Sequence, residues 1–512
     1  MKKQEVIVEI KRVGVVGCGF MGSGIVQVSA QAGFEVIVTD ISEAALKRGL
    51  SSIDYHLGRA VEKGKMAQQE KDAAISRIKG TADISDLGDS DLAIEAIPED
   101  LELKKKVFAK LDSEQICLRG GIMDFKLSDE QKKFRQEVSD FLEGEIKQGL
   151  WEPTCDAWII GHDPEFTKRV SRKGWIGLTW PKEYGGQERS YVDRLILTEE
   201  MLRYGAPAAC HWFADRQIGG AVVHYGTDQQ KKELLPMILK GEAYVGLGMS
   251  EPDAGSDLAS LKTKATEDGD DFIIDGQKTW TSGGSNMNWI YLVARTDPDA
   301  PKHKGISEFF FNTDLPGVTV TPIVDITGGV HFNEVFFENV RIPKTCLIGV
   351  RNKGFYQILN QLDYERSGME RLMANYPLFD ALIKYTKETR RNGKPLSQDF
   401  LIRSKLAQLK IGLEIGRMHM YRVAMVMDEG RAPNWESSMS KVYGTAFEQR
   451  LAGTAIEILG LYGQLSPQSK NVPMRGMAYH SYLSSKGYSL QAGSSEVLKN
   501  IMAQRKLELP SQ

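Results

Sequence analysis

A glycine motif near the N-terminus constrains the fold of this chain more than any other feature. The apolar run VGVV leads directly into Gly17-x-Gly19-x-x-Gly22, and a second apolar run ends at Asp40. Glycines at this spacing allow a tight turn and a close approach of the backbone to a pyrophosphate at a helix N-terminus. An acidic residue about 20 positions further on suits a ribose 2′-hydroxyl. The segment therefore predicts a Rossmann-like βαβ unit with Gly17, Gly19, Gly22 and Asp40 along a dinucleotide site.

The residues that follow narrow this prediction to one family. GFMGSGIVQVSAQAGFEVIVTDIS and LAIEAIPEDLELKKKVFAKLDSE resemble the NAD-binding domain of the 3-hydroxyacyl-CoA dehydrogenases. The resemblance implies that Glu99 and Lys104 lie along the NAD site. It ends after Ile116, before the catalytic His, the catalytic Glu and the helical dimerisation domain that the family carries next. Residues 1-117 are therefore predicted to be a truncated NAD-binding domain that does not oxidise hydroxyacyl substrates.

Truncation also bears on cofactor binding by this segment. We expect the sheet to end after its third strand, which would remove part of the core and of the cofactor cleft, so NAD binding stays an open question. Residues 118-122 form a junction, and Met123 has the character of the start of a second protein. Two explanations of the join stay open: a natural or artefactual gene fusion, and a fusion that was made deliberately.

A second stretch, Leu247 to Gly284, joins a polar loop to strand-like sequence. The run from Ser250 to Asp257 supplies small and polar residues that bring backbone N–H groups close to a polar ring or a phosphate. FIID, a turn at Asp275-Gly276 and QKTW are expected to form a hairpin that places Trp280 beside this loop. Each part alone is more often a simple turn or a core tryptophan, but together they predict a flavin site.

The combined motif is similar to a known signature. S-E-P-x-A-G-S-D followed by D-G-x-K-x-W-x-S/T-x-G resembles the flavin-binding signature of the acyl-CoA dehydrogenases, and the resemblance extends over residues 123 to 512. It implies an FAD cofactor, with Trp280 over one face of the isoalloxazine ring, Ser282 hydrogen-bonded near N5, and Ser256 also on the substrate side. The implied cofactor contacts in this stretch are Leu247, Gly248, Met249, Ser250, Ser256, Trp280, Thr281 and Ser282.

Three patterns divide the part of the chain after the junction. Helical periodicity with an N-cap at Ser128 dominates residues 123-243, strand-like alternation dominates residues 244-350, and helical periodicity returns in residues 351-512. Helix, β-domain, helix is the domain order of the acyl-CoA dehydrogenases. The chain is therefore predicted to be multidomain, with a partial Rossmann α/β domain, an α-helical domain, a β-barrel domain and a C-terminal four-helix bundle.

The family reaction removes a proton from Cα and a hydride from Cβ of an acyl-CoA, so it needs a carboxylate base. In many members the base is the glutamate of a Y-E-G-T phrase near the C-terminus, but this chain has Gln491-Ala492-Gly493-Ser494 there. A subset of the family carries the base in L-D-x-E-R on an earlier helix. The phrase from Leu362 to Arg366 matches that motif, so the resemblance implies Glu365 as the catalytic residue.

Helical periodicity gives independent support to Glu365. On a helix it would share an apolar face with Leu362, Met369, Leu372 and Tyr376, whereas Glu370 would be a solvated charge. Burial on such a face would raise the pKa of the Glu365 carboxyl toward the working range. The alternative interpretation is an ion pair between Glu365 and an arginine at a helix contact.

The family resemblance implies further contacts near both ends of the site. The backbone N–H of Ala492 would donate to the thioester oxygen, Gly493 would leave room for the thioester, and Asp363 and Arg366 would face the CoA pantetheine. On the FAD side, Ser494 and Glu496 would lie near the adenosine. Arg390 lies in Thr389-Arg390-Arg391-Asn392-Gly393, where the family carries a pyrophosphate-binding R-x-x-F-G phrase.

Composition excludes several classes of function. The net charge is -3 and no basic stripe is present, which argues against a nucleic-acid surface. No apolar run approaches the roughly 18 residues that span a bilayer, and the first residues lack a signal-peptide core, so a cytoplasmic location is expected. The scattered cysteines and histidines show no ligand spacing, so reduced thiols and no metal site are expected.

The sequence thus predicts an FAD-dependent acyl-CoA dehydrogenase behind a truncated NAD-binding domain. By resemblance, the partners would be an acyl-CoA substrate, an electron-transfer flavoprotein and other subunits of a homo- or hetero-tetramer. The alternative prediction is a non-catalytic or partner-dependent subunit, with Ala492 marking lost chemistry. A bifunctional enzyme that uses both FAD and NAD is disfavoured by the missing His and Glu.

Overall fold

The computed structural model describes residues 10–98, 100–113, 125–283, 286–365 and 369–510, and the side chains at 101, 112–113, 360–365 and 369 lie outside that description. The chain forms two compact units, Met1–Asp124 and Phe125–Gln512. No helix within the described residues has the length and apolar character to cross a lipid bilayer. Each unit is described by itself below.

The N-terminal unit is a parallel sheet covered by helices on both faces, as strands rich in valine and isoleucine require. Alternate residues of the central strands point to opposite sides, so that Val15 and Val38 pack with one helical layer while Val16 and Ile37 pack with another. The strands are β1 Arg12–Val16, β2 Glu35–Thr39, β3 Ile78–Thr81 and β4 Leu92–Glu95, in the order β3-β2-β1-β4. The helices are α1 Phe20–Gln31, α2 Glu43–Glu62, α3 Gln68–Ser76 and α4 Leu101–Ser113.

The expectation of a sheet cut after its third strand was wrong, because the described sheet contains four strands. The strand that the sequence did not reveal is β3, which pairs with β2 from Val36↔Ile78 to Thr39↔Thr81. Its sequence, IKGT, contains a lysine and a glycine and lies at the sheet edge, so it lacks the apolar run of a buried parallel strand.

The second unit begins with helices. Ser128 caps the first of them through a capping box with Gln131, which confirms the predicted N-cap. A π-helical turn, Ala214–Ile218, connects two of the helices that follow. The helices are α5 Asp129–Lys147, α6 Ala157–Ile160, α7 Pro164–Arg172, α8 Tyr191–Arg203, α9 Ala209–Phe213, α10 Gly219–Tyr225 and α11 Asp228–Leu239.

One eight-stranded sheet follows the helices, with a strand path β10-β11-β7-β6-β8-β9-β12 and β5 paired in parallel with β8. Its apolar side is filled by Ile274, Leu292, Phe309 and Val335. The strands are β5 Val245–Gly248, β6 Lys264–Asp268, β7 Asp271–Ser282, β8 Trp289–Arg295, β9 Ile306–Asn312, β10 Val318–Ile323, β11 Phe332–Pro343 and β12 Leu347–Ile348.

The predicted turn at Asp275-Gly276 was wrong, because β7 continues through both residues and the chain reverses earlier, between Asp268 and Asp271. A register shift in the partner strand, between Phe337 and Val340, lies opposite this dipeptide. The Asp275 carboxylate accepts the N–H of Asn339 at 2.8 Å. The Asp-Gly signal therefore marks a β-bulge, in which one extra residue of β11 bends a long strand.

Helices return after the sheet and end the unit. The two longest, α15 and α16 below, pack Leu413 and Met420 against Phe447 and Leu451 in the main core. A short hairpin, β13 Arg390–Arg391 and β14 Lys394–Pro395, precedes them. The helices are α12 Gly354–Glu365, α13 Met369–Met373, α14 Tyr376–Glu388, α15 Phe400–Asp428, α16 Asn434–Leu459, α17 Met477–Tyr488 and α18 Ser495–Arg505.

Candidate active site

The predicted flavin loop begins at the end of β5. Leu247 and Gly248 pair with Tyr291 and Leu292 of β8, and the chain then leaves the sheet at Met249. The carbonyl oxygen of Ser250 accepts the N–H of Thr279 at 2.9 Å. The structure therefore brings the start of the loop beside the end of β7, which carries Trp280, Thr281 and Ser282.

A buried ion pair holds this loop against β7. The Nζ of Lys278, which is 0% exposed, donates to Glu251 Oε1 at 2.7 Å and to the Met249 carbonyl at 3.1 Å. Glu251 also accepts the N–H groups of Lys262 at 2.6 Å and Thr263 at 2.9 Å. Three donors from two segments thus meet at the Glu251 carboxylate, and they tie the loop that begins at Met249 to Thr263 and to β7.

The charge state of this pair follows from burial and from its partners. Burial lowers the pKa of Lys278 to about 8, although the Glu251 charge acts in the opposite direction. Burial by itself would raise the pKa of Glu251, but the Lys278 charge and the donated hydrogen bonds outweigh it and lower that pKa overall. The pair is therefore ionised at neutral pH. Sequence reasoning missed it, although Lys278 continues the alternation of the buried Phe272 and Ile274 along β7.

The end of β7 has the features of a binding surface for a flat ring with polar edges. Trp280 has a left-handed φ of 57° and is 57% exposed, although it is a large aromatic residue. The next residue, Thr281, is fully buried, and its Oγ1 has no hydrogen-bond partner among the residues that the structure describes. A strained backbone, an exposed indole and an unpartnered buried hydroxyl at adjacent residues fit an isoalloxazine ring.

The surroundings of Ser256, the remaining residue of the flavin motif, point less clearly to a cofactor. Ser256 lies exposed in the loop, next to Asp257, whose carboxylate accepts a hydrogen bond from Ser260 and pairs with Lys302 at 3.0 Å. Those two contacts, with the Ser260 bond as the larger effect, lower the pKa of Asp257.

A small cavity of about 60 Å³ lies behind β5 and the end of β7. It is lined by Ile159, Ile160, His162, Ala209, Cys210, Phe213, Tyr244, Val245, Gly283, Asn286, Val330 and His331.

The C-terminal loop that carries Ala492 has an unusual backbone. Ala492 and Gly493 both adopt left-handed conformations, with φ values of 54° and 89°. Lys441, a buried residue of α16, donates to the Gly493 carbonyl at 2.8 Å and anchors the loop. Ser494 caps α18 by accepting the N–H of Val497, and Glu496 lies in its first turn. A strained loop that is fixed by a hydrogen bond from Lys441 suits a backbone N–H donor directed at a substrate oxygen.

The structure places the predicted base at the end of α12. Glu365 is the last residue of that helix, its side chain and that of Asp363 lie outside the described part of the chain, and Arg366 lies there entirely. The expected single helix from Leu362 to Tyr376 was wrong, because Met369–Met373 and Tyr376–Glu388 are separate helices. The shared helical face therefore does not support Glu365.

Two other predicted residues also differ from expectation or remain untested. Glu370 is not solvated, because its side chain is only 17% exposed and lies 3.8 Å from Arg371. Arg390 lies in the exposed β13–β14 hairpin and donates to the Gly393 carbonyl at 3.0 Å. Its role toward a pyrophosphate stays a prediction.

The glycine motif of the N-terminal unit forms the expected turn between β1 and α1. Gly17 has a φ of 101°, and a Cβ on Gly22 would lie 1.9 Å from the Gly17 carbonyl oxygen. Asp40 accepts the N–H of Cys18 at 2.7 Å, so this carboxylate closes the turn from the end of β2. Lys104 pairs with Glu95 at 3.2 Å, and Glu99 lies outside the described residues.

No group of three or more His, Cys, Asp or Glu side chains within the described ranges is arranged to hold a metal ion. Among the histidines, His211 is buried and its Nδ1 lies 2.9 Å from the Thr167 hydroxyl. Burial lowers the pKa of His211 to about 3, so it is a neutral packing residue.

Family models match both units of the chain. Residues 12–119 match the 3-hydroxyacyl-CoA dehydrogenase NAD binding domain. The N-terminal, middle and C-terminal domains of acyl-CoA dehydrogenase match residues 128–242, 246–340 and 352–507. Together they confirm the two resemblances that the sequence motifs indicated.

Individual relatives point the same way. Acyl-CoA dehydrogenase FadE26 of Mycobacterium tuberculosis is 33% identical over 404 residues, covering 76% of this chain and 99% of the relative. The solved structure of the Tcur3481-Tcur3483 steroid ACAD is 30% identical with a TM-score of 0.69, covering 76% of this chain and 100% of that one. The ChsE4-ChsE5 complex from Mycobacterium tuberculosis gives 30% identity and a TM-score of 0.67, covering 76% of this chain and 100% of that one.

The fold and these relatives define an oxidoreductase of the flavin-dependent class. The chain belongs to the acyl-CoA dehydrogenase family. N-terminal to the acyl-CoA dehydrogenase domains in sequence, it carries a Rossmann-like domain of the 3-hydroxyacyl-CoA dehydrogenase type.

Proposed function

We propose that this chain catalyses the FAD-dependent α,β-dehydrogenation of an acyl-CoA thioester to a trans-2-enoyl-CoA, with Glu365 as the base. The observation that carries the proposal is the end of β7, where the exposed Trp280 and the unpartnered Thr281 hydroxyl lie beside the clamped Met249–Ser250 backbone. Bound FAD would supply the acceptor for the hydride that leaves Cβ. Leu247, Gly248, Met249, Ser250, Ser256, Trp280, Thr281 and Ser282 would hold it.

The thioester end of the substrate would lie at the C-terminal loop. The left-handed backbone at Ala492 presents its N–H to the thioester oxygen, and the Lys441 hydrogen bond to Gly493 keeps that N–H in place. A fixed backbone donor costs no reorganisation as negative charge develops on the oxygen. Gly493 leaves space for the thioester, while Asp363 and Arg366 contact the pantetheine and Ser256 contacts the substrate from the loop.

Glu365 would take the Cα proton from the end of α12. Proton removal next to a thioester requires the base within hydrogen-bond reach and the oxygen polarised at the same time. The L-D-x-E-R motif and the alanine at position 492 together favour Glu365 over any C-terminal residue. Arg390, Ser494 and Glu496 would contact the pyrophosphate and adenosine parts of FAD.

The test is anaerobic flavin reduction, followed by the visible absorbance of the oxidised flavin while acyl-CoAs are added. The native enzyme should lose this absorbance, and Glu365→Gln should keep it. Glu414→Gln is the matched control, because Glu414 is a half-exposed carboxylate of α15 paired with Lys410. In a Glu365→Gln/Ala492→Glu protein, a carboxylate at the usual family position should restore part of the reduction. Equal reduction by the native and Glu365→Gln proteins would remove Glu365 from the proposal.

A non-catalytic or partner-dependent subunit is the second candidate, and the alanine at position 492 is the observation that favours it. Two similar solved structures, the Tcur3481-Tcur3483 steroid ACAD and the ChsE4-ChsE5 complex, each carry a pair of protein names. We propose that this chain assembles as a homo- or hetero-tetramer and passes electrons to an electron-transfer flavoprotein. A purified chain that contains FAD and reduces it alone supports the catalytic proposal, whereas reduction that appears only with a second chain supports the partner-dependent one.

The N-terminal unit would then bind NAD without hydroxyacyl chemistry. Gly17, Gly19, Gly22 and Asp40 shape the pyrophosphate and ribose end of the proposed site, with Glu99 and Lys104 further along it. Added 3-hydroxyacyl-CoA and NAD should give no NADH. Sustained NADH formation by the purified chain would contradict this part of the proposal.

A further inference from the structure

Strand β7 is irregular where it reaches the proposed flavin face. Two successive cross-strand pairs are separated by two residues on β7 but by only one on β11. The pairs are Lys278 with Val335 and Thr281 with Asn333. The two β7 residues between them, Thr279 and Trp280, form a β-bulge, which we call the Trp280 bulge.

The Trp280 bulge decides which side chains at the end of β7 face outward. Phe272, Ile274 and Lys278 are at most 3% exposed, and regular alternation would place Trp280 on the same buried side. The extra residue reverses the alternation, so that Trp280 is 57% exposed and Thr281 takes the buried side. Without the bulge, the indole assigned to the flavin would point into the sheet.

Asn333 holds one end of the Trp280 bulge from the neighbouring strand β11. Its side chain is 0% exposed, and its Nδ2 donates to the Thr281 carbonyl at 3.2 Å. Because a peptide is planar and trans, this bond fixes the Thr281–Ser282 peptide, with the Ser282 N–H directed away from Asn333. At the other end, Thr279 donates its N–H to the Ser250 carbonyl of the flavin loop at 2.9 Å. The Trp280 bulge is therefore held at both ends.

Stability alone does not account for an asparagine at position 333. Its Oδ1 is buried and has no hydrogen-bond partner within the described part of the chain, which costs free energy. Gln230 is a similarly buried amide of the same unit, but it uses both of its ends. Its Nε2 donates to the carbonyls of Thr345 and Leu347, and its Oε1 accepts the Thr227 N–H. Gln230 is thus a structural amide, whereas the one bond of Asn333 is directed at the flavin strand.

We propose that Asn333 is a positioning residue for the flavin, because its side-chain amide fixes the Trp280 bulge and thereby the orientation of Trp280 and Ser282. The inference rests on the proposed function, which assigns those two residues to FAD. Asn333 acts through them, since its own side chain lies on the buried side of β11.

The first test compares Asn333→Leu with the matched control Gln230→Leu. Leucine keeps the approximate shape of asparagine and removes the donor to the Thr281 carbonyl. The dissociation constant for FAD, measured from flavin fluorescence, should rise roughly two- to tenfold in Asn333→Leu, the range for one hydrogen bond between neutral groups. Gln230→Leu should keep the native affinity for FAD.

Stability of the FAD-free proteins should follow the opposite order. Gln230→Leu loses three side-chain hydrogen bonds, whereas Asn333→Leu loses one and also removes an unpartnered acceptor. The urea midpoint should therefore fall further in Gln230→Leu. A native affinity for FAD in folded Asn333→Leu, or an equal loss of affinity in both variants, overturns the inference.

Flavin reduction separates positioning of the ring from binding of the substrate. Of butyryl-, octanoyl- and dodecanoyl-CoA, the one that reduces the native flavin fastest is used. In FAD-saturated Asn333→Leu, the reduction rate at saturating acyl-CoA should fall roughly tenfold, because the ring that accepts the hydride is held less firmly. The dissociation constant for the acyl-CoA should stay unchanged. A native rate combined with weaker acyl-CoA binding overturns the inference.

Asn333→Asp decides the inference if Asn333→Leu does not fold. The introduced carboxyl has the shape of the amide, and burial raises the pKa of such a group. When protonated it can donate to the Thr281 carbonyl, and when ionised it cannot. The affinity of this variant for FAD, taken relative to the native protein, should therefore be higher at about pH 5 than at about pH 7. A ratio that does not change with pH overturns the inference.

Failure of this inference can be told apart from failure of the proposed function. If acyl-CoA reduces the native flavin and Asn333→Leu behaves like the native protein, the inference falls and the proposed function stands. If no acyl-CoA reduces the flavin but Asn333→Leu binds FAD more weakly, the proposed function falls and the positioning role stands. If the native chain binds no FAD, both fall.

Discussion

The ion pair between Lys278 and Glu251 gives a prediction about what holds the flavin loop. We consider Lys278→Met, which keeps the length of the side chain and removes its charge. At 2.7 Å and an effective dielectric constant of about 20, the attraction between the two charges is about 6 kcal/mol. Desolvation of both ions offsets much of this attraction, so the net contribution of the pair to the free energy of unfolding is small. Removing one partner is costly, however, because Glu251 stays buried with its charge uncompensated.

The expected loss of unfolding free energy is therefore about 3–5 kcal/mol, a large part of the 5–15 kcal/mol that stabilises a typical domain. Urea unfolding followed by tryptophan fluorescence measures it selectively, since all eight tryptophans lie after residue 124 and report only the second unit. The variant should also lose FAD more readily on dialysis, because the Met249 carbonyl loses its Lys278 donor.

Two further proteins test the reasoning. Lys262→Met removes an exposed lysine of the same loop, paired with Asp253 at 3.0 Å, and should cost less than about 1 kcal/mol. Glu251→Gln/Lys278→Met removes both charges while the amide oxygen still accepts one of the two N–H groups, from Lys262 or from Thr263, and should recover part of the loss. A Lys278→Met loss no larger than that of Lys262→Met, or a double variant no more stable than the single one, would refute the reasoning.

Two other predictions concern pH and the N-terminal turn. Burial holds the pKa of His211 at about 3 in the folded state, whereas an unfolded histidine has a pKa near 6.5. Between these values the unfolded state binds more protons, so His211 should make stability fall as pH drops from 6.5 toward 3, by up to about 1.4 kcal/mol per pH unit. The urea midpoint of His211→Asn should therefore depend less steeply on pH than that of the native protein. An unchanged dependence on pH would contradict a neutral His211. In the N-terminal unit, a Cβ at Gly22 would meet the Gly17 carbonyl oxygen at 1.9 Å, while one at Gly24 meets nothing within 4 Å. Hydrogen exchange in residues 12–31 should therefore quicken in Gly22→Ala and slow or stay unchanged in Gly24→Ala, and equal protection in the two variants would contradict the close approach at Gly22.

Much of the fold could be predicted because its signals are local. The Gly17–Gly22 motif between two apolar runs specified β1, α1 and β2, and Ser128 with Gln131 specified the start of α5. The Asp275-Gly276 prediction failed because the same dipeptide suits a hairpin turn and a bulge, and the choice depends on pairing with β11, far along the chain. Tertiary packing also decided that Leu372 and Tyr376 lie on separate helices, which periodicity alone could not show.

The candidate site, like the fold, could be predicted from sequence only where its signals are local. The residues from Leu247 to Ser282 were named from sequence because the motif is continuous, and the structure brings its two halves together through the Ser250 and Thr279 hydrogen bond. The buried contact between Asp156 and His480, at 3.3 Å, could not be found from sequence, because the two residues come from segments far apart in the chain. No spacing rule joins such residues before the fold is known.

The most direct test of the central claim is the mass of the product after one anaerobic turnover. FAD-loaded native enzyme is mixed in turn with butyryl-, octanoyl- and dodecanoyl-CoA, and the thioester is identified by mass spectrometry. We expect an enoyl-CoA that is lighter by two hydrogens with the native enzyme and unchanged acyl-CoA with Glu365→Gln. Native enzyme that contains FAD and leaves every acyl-CoA unchanged would contradict the account.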